Sequence, residues 1–403
     1  MKPAQIFGWI DASPYAGDWP AALPDMLNAL SKVADEPSLY DFGTHLWYSG
    51  RSRTAAVVYN FLFETGYRNE NFLRDYVGLL TGEMDYGKLD EVCHVSLTED
   101  PERLRQYMLL LLGQADLARR YSWTETLSLA SQRERRKNWL NTVDIYNMIE
   151  EAIDQALPFS LIRLGDGEAK ALVYYQLRNK DALSIDRINM IGNNIWQNWF
   201  GKDITDIEEH SLNSLFQKYF RSISNATVLA TVTEQRYRSD TSHFGYMAHQ
   251  EYFLDSIKYN GFMTDSMVHY QLNSTDCFLE KLLKGRTVSF VSPFYDLADR
   301  YSIKVGCNVQ NSFVVPGERR LPSQIISKMP RQHYPDVFDE LSIALARTLP
   351  GEVVLVAAGF LGKIYCNIIK DAGGIAIDIG SIVDGWMGHN TRPGHLDNAK
   401  TLL

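Results

Sequence analysis

The stretch Phe159–Leu172, FSLIRLGDGEAKAL, runs from an apolar strand-like segment into Arg163-Leu164-Gly165-Asp166-Gly167-Glu168. FSLIRL reads as a strand, and it closes on two acids separated by one glycine. In extended or turn backbone, residues i and i+2 face the same way, so Asp166 and Glu168 can converge on one point. Two hard carboxylates there suit Mg²⁺ or Mn²⁺, which commonly bind substrate phosphates as well. Gly167 would let backbone and ligand approach closely. The plainer alternative is a polar turn, since Asp-Gly is a common turn dipeptide and Glu168 suits a helix N-terminus.

Around this segment the chain has the texture of an α/β sheet. Beyond residue 155, short β-branched runs (ATVLATV, TVSFVS, NSFVVP, EVVLVAAG, GIAIDIG) alternate with amphipathic stretches such as 212–219, 278–284, 337–347 and 361–370. Apolar strands joined by helices imply a largely parallel sheet covered on both faces. Ligands in such sheets bind beyond the carboxyl ends of the strands, so the residues that follow each strand carry the functional information.

Those residues are repeatedly glycines, acids and arginines. EVVLVAAG leads into Gly359-Phe360-Leu361-Gly362-Lys363 and a helix, a turn whose backbone N–H groups suit an anion. Close helix–strand packing explains the same glycines. The phosphate-loop pattern fails at Ile364, and the dinucleotide fingerprint fails at Ala357. GIAIDIG ends in Asp378 and Gly380-Ser381, followed by Asp384, Trp386, His389 and Arg392 in a polar, glycine-rich tail. An aromatic there can stack on a base or sugar, and Arg392 can grip a phosphate bidentately. Glu318, Arg319 and Arg320 follow another strand, and Glu234, Arg236 and Arg238 another. Taken singly each reads as a solvated turn, but the pattern recurs at five strand ends.

The first 150 residues differ: they read as nearly all helical. Gly43, Leu46, Gly50, Ala55, Tyr59 and Leu62 fall at helix–turn–helix spacing, echoed from Gly78 onward at an offset of about 34 residues. This is the pattern of a tetratricopeptide-like unit, in which small residues let two antiparallel helices approach; a helical domain without repeats is the alternative. The basic stretch Ser131–Trp139, SQRERRKNW, reads as a solvated helix face or linker. The expected organisation is an accessory helical domain over 1–150 and a sheet domain over 151–403.

Bulk properties narrow the function. At 403 residues and 45% hydrophobic content the chain can bury sizeable cores. A net charge of −9 gives nucleic-acid binding no support. Cys93, Cys277, Cys307 and Cys366 form no metal or disulfide pattern, which suits a reducing compartment. With no signal-peptide pattern and no run long enough to span a membrane, a cytoplasmic protein is expected.

RLGDGE, together with EVVLVAAGFLGKIYCNIIKDAGGIAIDIGS, resembles the GT-D-type glycosyltransferases over about residues 150–395. There an R-x-G-D-G-E-type segment opens the domain, a G-x-x-x-K turn precedes a helix, and a strand ending in D-x-G-[SH] closes it. The middle of the chain matches only loosely. The resemblance implies a Rossmann-like sheet and sugar transfer from a nucleotide-sugar donor, a UDP-sugar by analogy, to a glycan or protein acceptor. It implies that Asp166 and Glu168 serve Mn²⁺ or Mg²⁺ and the donor diphosphate or ribose, with Arg163 supporting that turn or the phosphates. Gly165, Gly167, Gly359, Gly362 and Lys363 would hold the nucleotide, and Asp378, Gly380 and Ser381 would line the same crevice. Diphosphate departure needs charge stabilisation, and an inverting transfer needs a base on the acceptor hydroxyl. Glu318, Asp384 and His389 are the candidates for that base, whereas His269, in an apolar-aromatic pattern, reads as a packing histidine. The helical part is expected to position the acceptor or to mediate oligomerisation or protein binding. Two other readings stay open: a Mg²⁺-dependent nucleotide or phosphoester hydrolase, and a helical-repeat scaffold whose second domain binds a nucleotide without turnover.

Overall fold

The computed structural model describes residues 1–13, 19–96, 102–180, 182–274, 277–318 and 331–391. The chain forms two compact units. One comprises Met1–Arg120 with Arg238–Gly245, the other Tyr121–Tyr237 with Tyr246–Leu403. Residue 150, near which a boundary is expected, lies within the second unit, inside the helix Thr142–Asp154.

The first unit is helical, as its periodicity implies. Helices Glu36–Tyr48 and Ser52–Glu64 are followed 34 residues on by Glu70–Gly82 and Tyr86–Ser96. Asp35 and Asn69 cap the first helix of each pair, their side chains accepting from Ser38 N and from Asn71 N and Phe72 N. Gly43 sits where a Cβ would come within 2.5 Å of the Tyr59 ring, so its missing side chain sets the spacing of the pair. At the echoing Gly78 the nearest atom, Tyr107 Oη, would be 3.4 Å away, an ordinary contact. The repeat therefore holds in helix register more closely than in packing.

The second unit is built on seven parallel strands: β1 (Phe159–Arg163), β2 (Val228–Thr231), β3 (Phe262–Asp265), β4 (Thr287–Ser292), β5 (Asn308–Val314), β6 (Val353–Val356) and β7 (Ile375–Asp378), ordered β3-β2-β1-β7-β6-β4-β5. The inner strands β2, β6 and β7 are buried along their whole length, as continuous apolar runs must be between two helical layers. Phe159, Leu161, Ile375 and Ile377 face one core, shared with Ile145 and Ile149 of Thr142–Asp154 and with Leu297 and Tyr301 of the helix Leu297–Val305. The alternate residues, including Asp378, face the layer that contains the helices Asp166–Leu177 and Gly359–Asp371.

Two sequence expectations change here. β3 was not anticipated: FMTD is short, and only its pairing with β2 and with the segment at Trp139 makes it a strand. Leu140 N donates to Met263 O and Met263 N to Asn138 O, so the end of SQRERRKNW covers a sheet edge. The same stretch is not wholly solvated. Arg133 is buried, ion-paired with Glu251 and bonded to Val232 O.

The chain lays β2 and β3 on one side of β1, then crosses to build β4 and β5 on the far side. This reversal sets the carboxyl ends of β1, β7 and β6 side by side, the place where such sheets bind ligands.

Candidate functional site

β1 delivers Arg163 to the rim, where its backbone N–H donates to Asp378 Oδ2 (3.1 Å) at the end of β7 and its Nε to Ser266 O (2.9 Å) just past β3. The chain then turns at Gly165 into the helix Asp166–Leu177. Glu168, at the third helical position, reaches back so that Oε2 accepts from Gly165 N at 2.9 Å. RLGDGE is therefore a strand–cap–helix junction. The premise that Asp166 and Glu168 share a direction fails, because on a helix residues i and i+2 do not face each other.

The two acids have different surroundings. Glu168 is 7% exposed and its Oε1 lies 3.1 Å from Lys363 Nζ. The Asp166 side chain is 46% exposed, with Lys170 Nζ at 3.6 Å one turn on. Lys170, itself buried, donates to Asn194 Oδ1 (3.2 Å) and lies over the Tyr246 ring.

Lys363 joins all three family-like segments. Its ammonium is 2.7 Å from Asp378 Oδ2 and 3.1 Å from Glu168 Oε1, so the helix after β6 is tied to β7 and to the turn after β1. Lys363 is 3% and Asp378 2% exposed, which places this ion pair in the interior rather than at a ligand surface. Burial alone would push the Lys363 ammonium down. Asp378 and Glu168 outweigh burial and the opposing Arg163, so its pKa lies above the ordinary lysine value.

The glycines have distinct roles. Gly380 has φ +53°, its N–H donates to Asp378 Oδ1 (3.1 Å), and a Cβ there would overlap the Arg163 guanidinium. Gly359 also has φ +53°. Gly362 packs against Val356, where a Cβ would meet Cγ1 at 3.3 Å, so this glycine serves close helix–strand packing. Ser381 follows at the start of the short helix Ile382–Trp386.

Of the three base candidates, Asp384 and His389 are joined through the backbone, His389 N donating to Asp384 O at 2.8 Å. Glu318, beyond β5, accepts from Trp199 Nε1 at 2.9 Å, and Trp199 in turn packs against Gly167 and Gly359. Asp384 is buried and accepts from Thr391 Oγ1 (2.6 Å), while His389 stacks on Phe294 with centroids 5.7 Å apart. His269 is fully buried beside Tyr270, in keeping with a packing role. Glu234 opens the helix Glu234–Ser239, its N–H donating to Glu134 Oε1. Arg319, Arg320 and Arg392 lie outside the described residues. Sequence reasoning missed Trp199, Lys170 and Asn194, which sit in helices with no motif to mark them.

Among the described residues no group of three or more His, Cys, Asp or Glu side chains is placed to hold a metal ion. Glu168 is turned inward, its Oε2 accepting from Gly165 N and its Oε1 3.1 Å from Lys363 Nζ, which leaves Asp166 the more exposed of the two acids. Asp166 fits a divalent ion of the kind that takes one carboxylate and completes its shell with water and substrate phosphates.

A family model described as a GT-D fold-like domain matches residues 140–386, more than half of the chain, and the protein belongs to that family. Its second unit therefore has a glycosyltransferase-like fold. No curated protein and no solved structure gives a match. Among the described residues, no helix is long and apolar enough to cross a membrane.

Proposed function

We propose that the protein is a glycosyltransferase that moves a sugar from a nucleotide-sugar donor, a UDP-sugar by family analogy, to a glycan or protein acceptor. The observation that carries this reading is the meeting of RLGDGE, GFLGK and DIGS at three adjacent strand ends, on a sheet of the matching family.

The residues divide into an internal frame and a working rim. Lys363, Asp378 and Glu168 lock the turns after β1, β6 and β7 into one geometry, so the backbone that meets the donor is set before it arrives. Asp166 lies at the rim, at the N-terminus of a helix whose dipole favours an anion. Around the site Lys170 pairs with Asp166, and Lys363 with Glu168 and Asp378. A donor diphosphate brings further negative charge to this rim, and charge develops on it as it departs. Asp166 would hold Mn²⁺ or Mg²⁺ together with the donor phosphates, and the ion would supply compensating positive charge there. Glu318 is linked to both glycine turns through Trp199, whose Nε1–H it accepts, and serves as the base on the acceptor hydroxyl.

Nucleotide-sugar binding and turnover, measured with and without Mn²⁺, test the assignment. Asp166→Asn should lower metal-dependent turnover by about 10–100-fold or more, the loss usual for weakening a metal's protein partners. Its melting temperature should stay near that of the wild type, because this carboxylate is half exposed. Unchanged metal-dependent turnover would exclude Asp166 from the site. Release of free sugar with no transfer to any acceptor would favour a hydrolase.

A further inference from the structure

Trp199, the last residue but one of the helix Ile185–Phe200, links parts of the site that the family-like segments leave separate. A Cβ on Gly167 would come within 2.9 Å of Trp199 Cη2, and one on Gly359 within 3.3 Å of Cε2. The indole is thus wedged between the turn after β1 and the turn after β6, strands with β7 between them. Phe360 lies nearly parallel to it, with centroids 6.5 Å apart and planes 23° apart. The absent side chains of both glycines make the room this ring occupies. Its remaining polar group, Nε1–H, can only donate, and it donates to Glu318 Oε1 at 2.9 Å.

We infer that Trp199 is a positioning residue: clamped by the two glycine turns, it holds the Glu318 carboxylate through its Nε1–H in the orientation that takes the acceptor's proton. The inference rests on the glycosyltransferase reading with Glu318 as base. A carboxylate on a loop has several rotamers, and a charge-assisted hydrogen bond from a ring that cannot itself turn selects one of them. Misplacing a reacting group by about 1 Å costs on the order of 10²-fold in rate, so the indole's contribution falls on the chemical step.

The test uses the full chain with the donor and acceptor it turns over. Trp199→Phe keeps an aromatic ring between the glycines and removes the N–H. We expect kcat to fall by about 10²-fold, as far as in Glu318→Gln, with donor KM changed by less than about 3-fold. The double variant should be no slower than the slower single one, because both changes remove one interaction. Gly167→Ala, whose Cβ pushes the indole aside, should reproduce the kcat loss with Trp199 intact. Wild-type kcat in Trp199→Phe, or losses that multiply in the double variant, would overturn the inference. Full activity in Glu318→Gln would overturn it too, while leaving the transferase reading standing. Failure of the wild-type protein to bind or turn over any nucleotide sugar would remove that reading, and this inference with it.

Discussion

Replacing Lys363 by methionine separates two roles for this lysine that its sequence position leaves open. A lysine in a glycine turn before a helix suits a phosphate ligand, yet its ammonium lies inside, 2.7 Å from Asp378 and 3.1 Å from Glu168. Lys363→Met preserves the apolar stem and strands two buried carboxylates. Removing one partner of a buried ion pair costs about 3–5 kcal/mol, mostly because the opposite charge stays in the interior. With a urea slope of about 2–3 kcal/mol/M, the unfolding midpoint should drop by roughly 1–2 M. Adding Glu168→Gln and Asp378→Asn to Lys363→Met should restore part of that loss, since no unpaired charge is left to desolvate. pH gives an independent signature. The folded-state pKa of Lys363 is raised, so its stabilisation is fully present below the ordinary lysine value near ~10.4 and is lost as pH rises through the folded value. Wild type should lose that contribution only at alkaline pH, and Lys363→Met should lack it at neutral pH already. A loss below about 1 kcal/mol in Lys363→Met, together with weakened donor binding, would refute the internal role and make the lysine a phosphate ligand.

Two further outcomes follow from buried groups around this frame. His333 is buried beside Tyr365, and burial pushes its imidazole down to about 3. Its contribution is fully present above the ordinary value near 6.5 and is lost as pH falls toward 3, by about 2 kcal/mol at pH 5. Chemical denaturation at pH 7 and pH 5 should therefore show a steeper acid loss in wild type than in His333→Gln; equal slopes would contradict it. Gly380→Ala combines a positive φ with a Cβ overlapping the Arg163 guanidinium, and should cost about 2–3 kcal/mol in a thermal or urea melt. A neutral substitution there would mean that the turn after β7 can move.

The fold was legible for a simple reason. Continuous apolar runs such as VVLV and IAID have few alternatives to a doubly covered parallel sheet, and glycines, acids and arginines after them mark strand ends. β3 was not legible because four residues with one threonine and one aspartate carry no period; pairing with Val228–Thr231 made them a strand. Arg133 misled for a related reason. A basic run is normally solvated, and only the approach of Glu251, 118 residues away, gives one arginine a buried partner.

By itself the sequence marked the three segments that the fold brings together at adjacent strand ends. RLGDGE, GFLGK and DIGS share a chemical type that local patterning exposes, and their order follows from chain connectivity. What each side chain does there was decided only by the tertiary structure. Asp166 and Glu168, two residues apart, part company because the helix starts between β1 and its core, turning one acid outward and the other onto Lys363. Lys363 becomes an internal counter-ion because β7 brings Asp378 beneath it. Trp199 enters because two glycines 192 residues apart leave room for one ring. Each outcome depends on distances between segments remote in sequence, and a side chain's charge state, exposure and partner are set by those distances.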